Sequence, residues 1–202
     1  MPQAIAPNTL RRIRRVQAIT FVWMSGEAVL SLFAAWRARS PALLTFGGDS
    51  AIELASAVVV FWRFRANSPE EQVERRAART AGVLLFVLAA CVVATSTMAL
   101  GGYGEPRPSL LGIGILIAAA VFMPLLARKK RRLSAQTSSA ALRADAAESA
   151  LCGYLSLIAL LGLLINAGWH VRWADPAAAL LTIPIILREG WEAVRGRPCD
   201  CG

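Results

Sequence analysis

The chain has 202 residues, of which 56% are apolar and only 17% charged, with a mean hydropathy of +0.51. Soluble domains carry about a quarter charged residues, so an ordinary soluble globular domain is excluded. The net charge of +9 would suit a nucleic-acid partner, but the basic residues lie between apolar blocks instead of forming one patch, and nucleic acid is excluded on that ground.

Six apolar blocks follow one another: Val16–Trp36, Ala42–Trp62, Thr80–Leu100, Leu110–Ala127, Ala146–Ala167 and Ala174–Trp191. A bilayer core takes about 20 apolar residues as a helix, and backbone groups in lipid must be bonded within the segment. The fold class is therefore all-α: a polytopic membrane protein with six transmembrane helices. The sixth block is the weakest, because its most apolar part, Ala174–Leu187, is short. The first block follows the basic cluster Arg11-Arg12-Ile13-Arg14-Arg15, as a signal peptide would. It is too long for a cleaved segment, carries Glu27 and precedes five further blocks, so it is read as a retained span.

Basic residues alternate in density along the chain. One side carries Arg11, Arg12, Arg14 and Arg15, then Arg63, Arg65, Arg75, Arg76 and Arg79. It also carries Arg128, Lys129, Lys130, Arg131, Arg132 and Arg143, then Arg188, Arg195 and Arg197. The other side has only Arg37, Arg39, Arg107 and Arg172. The positive-inside rule then places both termini in the cytoplasm. The organisation expected is a cytosolic basic N-terminus (1–15), a six-helix domain (16–193) and a short cytosolic tail (194–202), with no soluble domain left over. The run Arg128–Arg132 is read as topogenic, in preference to lipid-headgroup binding. The stretch from Arg128 to Asp145 has helix formers and no Pro or Gly, and is expected to extend the fifth helix into the cytosol. Five of the six tryptophans fall near span ends, as an aromatic belt does; Trp23 does not.

Ionisable groups inside spans are costly and are functional hypotheses by default. Asp49 and Glu53 lie in the second block, within FGGDSAIELAS; Glu148 and Cys152 lie in the fifth, within ADAAESALCGYLS; Glu27 lies in the first. Each pair is spaced i, i+4 and so shares one helix face. Two helices with two such side chains each supply four ligands to one cation, and zinc favours four-coordinate sites of Cys, His and carboxylate. Ser56 and Ser156 continue these faces, and Gly47, Gly48 and Gly153 permit close helix approach. The bland alternative is protonated acids bonded to neighbouring hydroxyls, with Cys152 as a small apolar filler. By helix rise, Asp49 lies nearer the outside than Glu53, and Glu148 nearer the inside than Cys152, so one plane of four ligands demands tilt or helix ends placed differently.

At these residues the sequence resembles the cation diffusion facilitator family, in particular its small bacterial members. The resemblance is carried by TFGGDSAIELASAVVVFWR (45–63), ADAAESALCGYLSLIALLGLLIN (144–166) and WADPAAALLTIPIILREGWEA (173–193). It implies six spans, a homodimer and a divalent-metal exporter, expected in a bacterial inner membrane; proton exchange is expected because the ligands must lose protons to bind metal. It also implies a metal site between spans two and five. The family's acid-x-x-x-Asp in span two matches Asp49 and Glu53. Its His-x-x-x-Asp in span five matches Glu148 and Cys152, and Asp145 matches an Asp one turn earlier, an accessory position; Glu27 is read, from its place in the first span, as an accessory that accepts protons or lines the cavity, or else as an acid paired with a polar neighbour. The departures are Glu for His and Cys for Asp; the family's cytosolic ferredoxin-like domain has no counterpart here.

The expected activity is that of a secondary transporter, not an enzyme, carrying Zn2+ or another divalent transition metal as its ion. The alternative is a zinc-binding or regulatory membrane protein that moves nothing. No Ser/His or Cys/His dyad, HExxH or phosphate loop occurs. Cys199 and Cys201 form a C-x-C pair that could capture metal, but a solvated tail is the better reading. His170 reads as a loop residue, and Asp175-Pro176 as a helix cap with a structural role.

Overall fold

A computed structural model describes residues 7–63, 70–137 and 140–195. The described residues form six helices: α1 Pro7–Ala38, α2 Pro41–Arg63, α3 Glu70–Leu100, α4 Leu110–Thr137, α5 Ala140–Trp169 and α6 Ala174–Arg195. Four described stretches are long and apolar enough to cross a bilayer: Arg11–Ala38, Arg79–Leu100, Leu110–Gln136 and Asp145–Trp169. Large apolar side chains such as Val22, Val29, Phe33, Val87, Val121 and Leu161 lie exposed on the outer surface of the bundle. That is what an integral membrane protein shows to lipid.

The helices close into a ring. α1 packs on α2 and α4, α4 packs most extensively on α5, α5 on α6, α6 on α3, and α3 on α2. α2 also reaches across to α5 and α6, which makes it the most central helix. The apolar core runs through Leu43 and Phe46 of α2, Val92 of α3, Leu116 and Met123 of α4, Leu155 and Leu163 of α5 and Ile186 of α6. Close approach comes from glycine, as the sequence suggests. A Cβ on Gly47 would stand 2.5 Å from Ser31 Oγ of α1, one on Gly48 2.5 Å from Leu88 of α3, and one on Gly153 3.2 Å from Pro124 of α4.

The turn between α1 and α2 is built tightly. Arg39 takes a left-handed φ of 51°. Ser40 then caps α2, its Oγ accepting from Leu43 N at 3.1 Å, with Pro41 as the first helical residue. Ser and Pro there are the preferred choices, since the first backbone N–H groups lack intrahelical partners. At the same end of the bundle, Arg107 N donates to Ala38 O at 2.8 Å, and buried Asn166 of α5 donates to Pro106 O at 3.3 Å.

Two sequence expectations change. Residues 128–137 continue α4, and α5 takes up the chain only from Ala140. No helix breaker separates Ala127 from Thr137, so the fourth helix runs on where the fifth was expected to reach. Asp175 lies inside α6, which starts at Ala174, and its carboxylate accepts from Ser40 Oγ at 2.5 Å and from Ala42 N at 3.2 Å, capping the start of α2. Cys199 and Cys201 lie outside the described residues, as do residues 64–69 of the loop between the second and third blocks.

Candidate metal centre

The four side chains singled out from the sequence occupy facing helices, α2 and α5, but differ in their surroundings. Asp49 is sealed in the bundle at 1% exposure, and neither carboxylate oxygen has a hydrogen-bond partner. Glu53, one turn on, is half-buried, Cys152 is buried, and Glu148 is exposed. Their carboxylates form one electrostatic cluster: Asp49 lies within Coulombic reach of Glu189, Glu148 and Glu27, and Glu53 within reach of those three and Asp49. Among the described residues, no three His, Cys, Asp or Glu side chains converge tightly enough to cage an ion. The acids come from four helices, Glu27 from α1, Asp49 and Glu53 from α2, Glu148 from α5 and Glu189 from α6.

Glu27 of α1 is the best-satisfied of these acids. It is 3% exposed and fully engaged. Oε1 accepts from Ser50 Oγ of α2 at 2.8 Å and from Cys152 Sγ of α5 at 3.4 Å; Oε2 accepts from Trp23 Nε1 at 2.5 Å. Trp23, the tryptophan that fits no belt, therefore has a structural role: it holds Glu27 while its ring packs on Phe122 of α4, centroids 4.4 Å apart. Glu27 of α1 thus joins Ser50 of α2 to Cys152 of α5 and fixes Cys152 beside a carboxylate. It also leaves Ser50's neighbour, Asp49, with no donor of its own.

Asp145 is also engaged. Oδ1 pairs with Lys130 Nζ of α4 at 2.7 Å and Oδ2 accepts from Gln17 Nε2 of α1 at 2.8 Å. His170, exposed and left-handed with φ 54°, ends α5 at the opposite side and touches none of this. Sequence reasoning misses two participants. Glu189 of α6 lies within the sixth block and is half-buried; its position beside Arg188 near the end of the weakest span hides it among topogenic charges. Lys130 sits in the basic run but is fully buried.

Six helices with apolar side chains on the outer surface of the bundle define a polytopic integral membrane protein. The chain belongs to the cation efflux family: the family described as the cation efflux transmembrane domain matches residues 18–196. The manganese efflux system protein MneS of Bacillus subtilis (strain 168) is 21% identical over 174 residues, covering 82% of this chain. The chain spans 60% of the length of that relative.

Proposed function

We propose that this protein exports a divalent transition-metal cation across a bacterial cell membrane in exchange for protons, as a carrier and not an enzyme. Its cargo would pass between α2 and α5, with Asp49, Glu53, Glu148 and Cys152 as ligands. The observation that carries this reading is Asp49. A buried carboxylate without a partner costs several kcal/mol, and such a cost persists where a cation supplies the missing partner. Family membership supports cation export; the spacing of both i, i+4 pairs on facing helices supports the ligand set.

Zinc is the proposed cargo, because Cys152 adds a soft sulfur to an otherwise all-oxygen set. The competing cargo is manganese, favoured by the carboxylate-rich cluster and by the name of the relative. Carboxylates bind both metals, so sulfur is the discriminating atom. Proton exchange follows from ligand chemistry, since carboxylic acids and thiols must lose protons to bind metal. Both termini in the cytoplasm, and a homodimer as the working unit, complete the proposal.

The test is flux into proteoliposomes under an imposed pH gradient, with Zn2+, Cd2+ and Mn2+ in competition. The parent should transport zinc and cadmium ahead of manganese, and Cys152→Asp should lower cadmium preference while remaining a competent zinc carrier. His170→Ala should match the parent. Metal binding without flux would replace the transporter with a non-transporting metal-binding protein. Unchanged selectivity in Cys152→Asp would remove the sulfur from the ligand set.

A further inference from the structure

A lysine buried inside a bundle proposed to conduct cations is the feature the reading above does not absorb. Lys130 has 0% side-chain exposure, although its neighbours Lys129 and Arg131 are exposed. Its ammonium lies 2.7 Å from Asp145 Oδ1 and 2.9 Å from Ser149 Oγ, and Asp145 is in turn held by Gln17 of α1. One ammonium therefore ties α4 to α5 and, through Asp145, to α1. Ser149 directly follows Glu148, and the charges of Lys130 and Asp145 are both felt at Glu148.

Burying an ammonium is expensive, and a pair of well-packed apolar side chains is often at least as stable. Stability alone gives little reason for this lysine. Its position gives a better one: it is bonded to Ser149, the residue after Glu148, and Glu148 is one of a group of carboxylates, with Glu53, Asp49 and Glu189, whose charges reach one another. A group of that charge without cargo is self-repelling, and a tethered cation offsets the repulsion. The same charge opposes an arriving divalent ion.

We propose that Lys130, held against Asp145 and Ser149 beside Glu148, is a built-in counter-cation to that group of carboxylates and competes with the metal cargo. It is a positioning residue, acting through Asp145 and Glu148 and not as a ligand. The inference rests on the metal-site reading above, and its test separates the two. Zn2+ and Mn2+ binding to the purified full chain is measured by calorimetry at one fixed pH, for the parent, Lys130→Gln, Lys130→Met, Lys130→Arg and Asp49→Asn. Removing the competing charge should tighten metal binding about ten-fold in Lys130→Gln and Lys130→Met. Lys130→Arg, which keeps the charge, should stay within about two-fold of the parent. A merely structural role would move affinity the other way, since a damaged bundle binds more weakly. Lys130→Met fills the same space with an apolar chain and keeps the test available if Lys130→Gln fails to fold. Unchanged or weakened binding in the neutral variants, with Asp49→Asn still losing the metal, overturns the counter-cation alone. A parent that binds neither metal overturns the site and the counter-cation together.

Discussion

Asp49 and Asp175 are both aspartates sealed inside the bundle, 1% and 0% exposed, and their surroundings differ in kind. Asp175 meets a hydroxyl and a backbone N–H at the start of α2, where the helix dipole also favours a negative charge. Every demand of that carboxylate is met by the protein, and it fastens α6 to the turn between α1 and α2. Asp49, two turns further along the same helix α2, receives no donor at either oxygen, although Ser50 beside it donates to Glu27. Burial is common to both, so burial alone does not show whether a carboxylate is satisfied. What distinguishes them is whether the fold supplies the partner.

The comparison breaks most sharply on Asp49→Asn. Metal affinity should fall on the order of 100-fold, equivalent to about 2.7 kcal/mol, while thermal stability in detergent holds or rises, because an uncompensated buried acid has been removed. Parent-like affinity by calorimetry would end the distinction. Asp175→Ala should do the reverse: a loss of about 1.5–3 kcal/mol of stability, the range for hydrogen bonds to a charged group, with metal affinity unaltered. Thermal unfolding followed by tryptophan fluorescence reads it, and a variant as stable as the parent would show that the cap is idle.

Gly47→Ala probes the frame around Asp49. Its new methyl would meet Ser31 Oγ at 2.5 Å and the Leu32 backbone N at 3.0 Å, so α1 must move off α2, and overpacking costs about 1–3 kcal/mol. Stability should fall and metal affinity should weaken with it, since Glu27 and Ser50 face each other across that contact. Affinity unaffected by the shift would show that the site does not depend on α1. Glu105→Gln should matter least. Its ion pair with Arg172 is exposed on both sides, and such pairs contribute under about 1 kcal/mol; a larger change in unfolding temperature than that implies would be unexpected.

Much of the architecture was legible in the residues. Apolar blocks of bilayer length imply helices whatever their neighbours, because lipid offers the backbone no other partner. The i, i+4 spacing of Asp49 with Glu53 and of Glu148 with Cys152 is a property of one helix, and needs no knowledge of packing. The small residues Gly47, Gly48 and Gly153 were legible for the same reason. Where the expectation slipped, it was at helix ends: a stretch free of Gly and Pro tells that a helix continues, not which of two helices owns it, and residues 128–137 went to α4.

Tertiary structure decided the partners. Lys130 and its exposed neighbours are indistinguishable as a run of basic residues; only the packing of α4 on α5 turns one of them inward against Asp145. Trp23 and Glu27 form a local pair, but their significance depends on Ser50 and Cys152, which arrive on other helices. Asp175 looks like the cap of its own helix until the fold brings Ser40 and Ala42, more than a hundred residues earlier, within hydrogen-bond distance. The physical reason is the same in each case. Helix formation and membrane insertion are governed by interactions within a segment and are written in local pattern. Whether a buried charge is satisfied depends on which groups other segments place within about 3 Å of it, and only the closed ring of helices determines that.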